Sequence, residues 1–300
     1  MNKIKEIKEY FESPAISQSF LKGVLSNEKE KKTNKGMRAG TLLDVLTTSP
    51  ESFNDLYKIG DVNLSDTVET IFKELISKNI ELNSNNTYEI LEICKQNDYY
   101  GGKTRAFNEL MKLEMSFYQL KETKGFTIIS QDKYNSELAI ATELKKWVEF
   151  KPETCQIPLF AQLDGFVNKG IDCKGLLDHF SLPDEAIIDV KRTAMPLKEF
   201  SYEARKYGYA LQGAFYSDLV TNLYDFIPSY GWLVYSDYDK KVAFFKSDES
   251  DLDVGRYGKD WVKGYKEAID IYQYCTENNL PDWDMEYYKS SGIYNLRIYR

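Results

Sequence analysis

Apolar positions recur at helical spacing through the first half of the chain and alternate at strand spacing in part of the second. After Ser13-Pro14, Ile16, Phe20 and Val24 lie three to four residues apart and predict a helix starting there. Leu42, Leu43, Val45 and Leu46 mark another over 37–48. Ser65 is placed to cap a third, whose buried stripe would be Val68, Ile71, Phe72, Leu75 and Ile76. Further helices fit 87–97, 104–121 and 131–148, with a turn at Asp98–Gly102.

The pattern then changes. Residues 156–167 and 171–180 read as strands joined by the hairpin turn Asn168-Lys169-Gly170, and 186–193 as a third strand after Leu182–Glu185. A long helix is predicted from Leu197 to Leu223, strands at 229–236 and 241–247, and a last amphipathic helix at 250–278. The order implies an α/β class: a mainly helical region over 1–150, a sheet-bearing core over 151–280 and a tyrosine-rich tail over 281–300.

Composition narrows this picture modestly. The 300 residues are 42% hydrophobic and 29% charged, enough for a real core in a soluble chain. No apolar run approaches membrane-spanning length, and Met1–Glu6 has no signal-peptide character, so the cytoplasm is the expected compartment. Cys94, Cys155, Cys173 and Cys275 form no C-x-x-C pair and are expected to be buried thiols. A net charge of −8 argues against a surface that grips nucleic acid everywhere. It leaves room for an acidic catalytic cleft beside local basic patches; Lys29–Arg38, with five basic residues and one acidic, is one such patch, or a solvated loop.

The candidate chemistry sits in two of the predicted strands. Lys174–Asp178 and Ala186–Lys191 carry the pattern D-(x10)-D-x-K through Asp178, Asp189 and Lys191. Strand alternation puts Asp189 and Lys191 on one face and sends Val190 into the core. Two carboxylates beside one ammonium could hold a divalent cation against a phosphodiester, with the Val190 carbonyl as a further ligand and Lys191 assisting the attacking water. The bland alternative is a surface salt bridge, but carboxylates set among Leu176-Leu177 and Ile187-Ile188 are costly without a partner. On the following helix, Tyr209, Gln212 and Tyr216 share one face and could reach the same point. The bland alternative there is an ordinary helix in a chain with 23 tyrosines.

The set Asp178, Asp189-Val190-Lys191 and Tyr209-x-x-Gln212-x-x-x-Tyr216 resembles the PD-(D/E)XK nuclease superfamily, most of all its phage exodeoxyribonuclease VIII (RecE-like) and RecB-type nuclease domains. Ala15–Leu21 is similar to the opening I-S-x-S-x-L of those proteins, and Arg38–Leu46 with Ser49–Phe53 to their G-x-x-x-H-x-L…P-E-x-F segment. The resemblance implies a restriction-endonuclease-like core, a central mixed β-sheet flanked by helices, with the helical N-terminal region as an extension. It implies a Mg²⁺- or Mn²⁺-dependent DNA exonuclease of phage recombination or repair, acting on double-stranded ends in the host cytoplasm. Partners so implied are a single-strand annealing protein and further copies of the chain in a homo-oligomer, with no membrane. Asp44, Asp178, Asp189 and Val190 would bind metal, Lys191 would assist the nucleophile, Gln212 and Tyr216 would position the strand, and Tyr209, Lys198, Arg205 and Lys206 would contact DNA. The chain departs from the family where Asp44 replaces the usual histidine and Gln156 the usual glutamate; the only histidine, His179, matches neither role, and there is no C-terminal cysteine cluster. A restriction-type or structure-specific endonuclease, and a degenerate nuclease fold that only binds DNA or a partner, are the alternatives.

Overall fold

The computed structural model describes residues 3–27, 35–60, 64–122, 127–260 and 262–290. The chain divides into two compact units, one built from Met1–Ser49 with Ile140–Arg300 and the other from Pro50–Ala139. The first 49 residues supply α1 (Lys3–Glu12), β1 (Ile16–Ser17), α2 (Gln18–Ser26) and α3 (Lys35–Thr48). Next come α4 (Phe53–Leu56), β2 (Tyr57–Ile59), α5 (Asp66–Ser77), α6 (Thr87–Gln96), α7 (Thr104–Met111), α8 (Glu114–Glu122), β3 (Thr127–Ile129) and α9 (Gln131–Leu144). The remainder forms β4 (Cys155–Leu163), β5 (Ile171–Ser181), β6 (Ala186–Thr193), α10 (Phe200–Lys206), α11 (Tyr209–Tyr224), β7 (Ser229–Ser236), β8 (Lys241–Lys246), α12 (Glu249–Tyr257), α13 (Tyr265–Glu277) and α14 (Met285–Lys289).

The 50–139 unit is helical around a closed apolar core. Ser65 accepts the Val68 N–H and caps α5, whose Val68, Ile71, Phe72 and Leu75 are buried against Ile90, Leu110 and Phe117. A short parallel pair, β2 with β3, completes it.

The other unit is built on a mixed six-stranded sheet in the order β1-β5-β6-β7-β8, with β4 also paired to β5. β6 and β7 run parallel over all eight residues, and α10 with α11 makes the crossover that parallel neighbours require. Seven of the eight β7 residues are buried, as expected of a strand covered on both faces. Leu211, Phe215 and Leu219 of α11 pack with Leu177, Ile187, Trp232 and Val234 of the sheet. Gly175 makes close packing possible: a Cβ there would lie 2.8 Å from Leu219 and 3.1 Å from Tyr216.

Several elements differ from the sequence expectation. Ile16-Ser17 is a strand parallel to β5, and Ser17 then caps α2 by accepting the Phe20 N–H. Helix formation starts after the cap, because the serine side chain competes for the first free amide. The segment 104–121 is two helices, α7 and α8. The expected helix 197–223 is a short 3-10 turn, then α10, then α11, broken at Gly208, whose φ is 62°. The expected helix 250–278 is likewise α12 and α13, with Gly258 at φ 81° between them. All four cysteines are buried free thiols. Among the described residues no helix is long and apolar enough to cross a membrane. The basic run Lys29–Arg38 lies outside the described residues up to Asn34, and its later side chains do also.

Candidate active site

The site begins with an interruption in hydrogen bonding along β5. One edge of β5 pairs with β4 from Ile171 to His179, passing over Asp178. The other edge pairs with β1 at residues 173–174 and with β6 only at 179–181, where His179 faces Ile188 and Phe180 faces Ile187. The next pair in that register is Asp178 with Asp189. Two carboxylates directly opposite one another repel, and the ladder stops there. The Val190 N–H that would have continued it instead donates to Asp178 Oδ2 at 2.9 Å.

β6 presents Asp189 and Lys191 on one face, and their carboxylate and ammonium form an ion pair. Asp189 is only 2% exposed, and its Oδ1 accepts from Gln212 Nε2 of α11 at 2.8 Å. Tyr209, three residues earlier on α11, lies under the Lys191 ammonium, 5.2 Å from ring centre to nitrogen. Tyr216 of α11 and Tyr230 of β7 are buried nearby, and burial, reinforced by the charge of Asp189, raises both phenols well above the usual range. Val190 is buried, as alternation predicts, and its carbonyl accepts from Lys191 Nζ at 3.4 Å.

A third strand and a helix complete the surround. Gln156 of β4 falls opposite Asp178, between the pairs Cys155–His179 and Ile157–Leu177. Its backbone is left-handed, φ 48°, an unusual state for a non-glycine residue inside a strand. Its amide donates to Thr48 Oγ1 of α3 at 3.0 Å and reaches Asp178 Oδ1 at 3.5 Å. Asp44 lies one turn earlier on α3, half-buried, and its backbone carbonyl accepts from Thr48 Oγ1.

Electrostatics tie these groups together. Asp178 is pushed up to about 7, first by burial and then by the charge of Asp189, with Lys191 and the Val190 N–H opposing. Asp44 is pushed well above the ordinary carboxylate range by burial and by Asp178, with Lys191 again opposing. Burial works against the Lys191 ammonium, but Asp189 and Asp178 outweigh it and its pKa is raised. Shifts of this kind concentrate where carboxylates are held for chemistry rather than for stability.

These donors are all hard oxygens, suited to Mg²⁺ or Mn²⁺. Among the described residues no three His, Cys, Asp or Glu side chains form a group that could hold a metal ion, so the three aspartates are not drawn together as a ready cage. Mg²⁺ does not require one: it is commonly held by one or two carboxylates, with water and substrate phosphate completing its shell. Asp178 and Asp189, with the Val190 carbonyl, fit that description; Asp44 is linked to them by charge.

The structure therefore brings Asp178, Asp189, Val190, Lys191, Tyr209, Gln212 and Tyr216 into one neighbourhood. Lys198, Arg205 and Lys206 are exposed residues of the segment before α11 and take no part in the carboxylate cluster. His179 is buried on the opposite face of β5, edge-on to Phe150. Thr48 joins the site without a motif of its own; the four-residue spacing from Asp44 on one helix is the signal that places it there.

No protein-family model matches the chain, and no curated protein does. Among solved structures, a "Putative exonuclease" from Eubacterium rectale, determined at 2.19 Å, is similar at a TM-score of 0.40 and 13% identity, over 99% of this chain and 88% of that one.

Proposed function

We propose that the chain is a metal-dependent nuclease that hydrolyses phosphodiester bonds at DNA ends. The observation that carries this reading is the Asp178–Asp189 juxtaposition at the point where the β5–β6 ladder stops, with Lys191 beside it. Asp178, Asp189 and the Val190 carbonyl would hold Mg²⁺ or Mn²⁺, with Asp44 adding negative charge nearby. Such an ion neutralises phosphate charge and lowers the pKa of bound water.

The protein's own groups have distinct tasks. Gln212 fixes the rotamer of Asp189 through its amide hydrogen bond. The Val190 N–H and Gln156 fix Asp178. Lys191, fully charged at neutral pH, offers ammonium protons to a non-bridging phosphate oxygen or to the entering water. The tyrosines exclude water around Asp189 and keep its local dielectric low. Lys198, Arg205 and Lys206, exposed along the approach to α11, contact the backbone without reading sequence. The phage recombination role, a homo-oligomer and an annealing partner follow from the family resemblance alone.

The test is digestion of end-labelled linear DNA and of closed circular DNA by purified protein, with Mg²⁺ or Mn²⁺ present or chelated. Metal-dependent loss of linear DNA alone is the expected result. Cutting of circles assigns the chain to the endonuclease reading. No metal-dependent cutting, with DNA binding intact, assigns it to a degenerate binding fold.

A further inference from the structure

The break between α10 and α11 has built a surface that runs outward from the catalytic groups and ends on a residue, Tyr207, to which the catalytic reading gives no task. In an unbroken α-helix, residues two apart point about 200° away from each other. Tyr207 and Tyr209 flank Gly208, and its left-handed backbone, φ 62°, turns both rings to the same side. Their centroids are 6.1 Å apart, with planes 30° from parallel. The Lys206 ammonium lies 5.3 Å from the centre of the Tyr207 ring. Tyr209 in turn lies under Lys191, the lysine paired to Asp189. The result is a continuous run from the buried carboxylate outward: Asp189, Lys191, Tyr209, Tyr207, Lys206.

The outer member is half exposed. Tyr207 shows 50% of its surface, although an aromatic ring usually buries what it can. An exposed ring beside an exposed cation, one ring contact from the proposed reaction centre, is what an unpaired base and its phosphate require: a face to stack on and a charge to neutralise. Away from its ends duplex DNA offers no free base face, because its bases are stacked on one another.

We infer that Tyr207, with Lys206, is a stacking platform for an unpaired nucleotide next to the reaction centre, so that the substrate is engaged as single-stranded or frayed nucleic acid. This inference rests on the nuclease reading and names its substrate form.

The test is fluorescence anisotropy in EDTA, with a labelled twelve-nucleotide oligothymidylate and a fully paired hairpin closed by a non-nucleotide linker as the two probes. Cleavage of both with Mg²⁺ is measured in parallel. Tyr207→Ala should weaken oligothymidylate binding about ten-fold and leave hairpin binding unchanged, while Tyr207→Phe, which keeps the ring, should match the wild type. The cleavage defect of Tyr207→Ala should appear in KM rather than kcat. Equal binding of the single strand by Tyr207→Ala and wild type overturns the platform while leaving the nuclease reading intact. Equal weakening for both probes overturns the single-strand assignment. A wild type that neither binds nor cuts either probe overturns both readings.

Discussion

The carboxylate of Asp218 and the pair Asp178 and Asp189 live in opposite circumstances. Asp218, on α11, accepts from Arg256 Nε at 2.7 Å and Nη2 at 2.5 Å, and from the Tyr265 hydroxyl. The Asp218 carboxylate raises the Arg256 pKa, first through these hydrogen bonds, and ties α12 and α13 to α11. Asp178 and Asp189 share one lysine between them, stand opposite each other in register, and interrupt the sheet where they meet. One region spends its charge on holding helices together. The other keeps like charges close at a cost to stability, and such a cost persists where it serves chemistry.

The sharpest way to break this contrast is to remove one charge from each region and measure cleavage and stability separately. Asp189→Ala or Lys191→Ala should lower kcat by about 10²–10⁴, the range for removing a transition-state electrostatic group or proton-transfer partner. Asp178→Asn should abolish most cleavage yet raise the melting temperature, since it relieves repulsion and keeps the side-chain shape. If Asp178→Asn melts lower than wild type, the carboxylates are mutually stabilising and the contrast fails.

The mirror experiment is at Asp218. Asp218→Ala leaves the Arg256 guanidinium, 17% exposed, without its main partner. The expected cost is on the order of 3 kcal/mol in urea unfolding, with cleavage per folded molecule unchanged. A variant that unfolds like wild type would reduce the Arg256 pair to a surface contact.

Acidity offers a third probe. Asp178 sits at about 7 in the folded chain, above the ordinary carboxylate value. A raised carboxylate pKa means that the folded state holds the proton more tightly than the unfolded state. Its contribution to stability is therefore fully present at low pH and is lost as pH rises from the ordinary carboxylate range to about 7. Asp44 is shifted the same way and adds to the loss. Cleavage should move oppositely, rising as Asp178 ionises. Urea midpoints and single-turnover rates across this range should cross, and Asp178→Asn should flatten the stability arm. A stability profile that rises with pH in the wild type would contradict the environment described for Asp178.

Much of this site was legible in the sequence because strand alternation is a rigid rule. Asp189, Val190 and Lys191 take the faces that period two assigns them, and the β6 and β7 boundaries match the apolar runs. What was not legible depends on backbone states that no periodicity encodes. The left-handed Gln156 is invisible in a run that otherwise reads as strand. The Thr48 contact is a hydrogen bond from Gln156, a residue more than 100 positions away. The helix expected over 197–223 hid the break at Gly208, since a lone glycine inside a helical pattern is usually tolerated.

That break yields the smallest effect and tests whether the platform depends on it. A Cβ at position 208 would meet nothing closer than the Lys22 side chain at 3.5 Å, so Gly208→Ala is not a steric clash. Its cost is conformational: φ 62° in an alanine is unfavourable by about 1–2 kcal/mol. The chain can meet that cost by keeping the strained turn, or relieve it by running α10 into α11. The second path swings Tyr207 and Tyr209 to opposite sides, because residues two apart on a helix do not face each other. Gly208→Ala should therefore lower the melting temperature by a few degrees and weaken oligothymidylate binding, with hairpin binding unchanged. If the melting temperature falls but single-strand binding holds, the rings keep their places without the glycine, and the turn serves the fold rather than the platform.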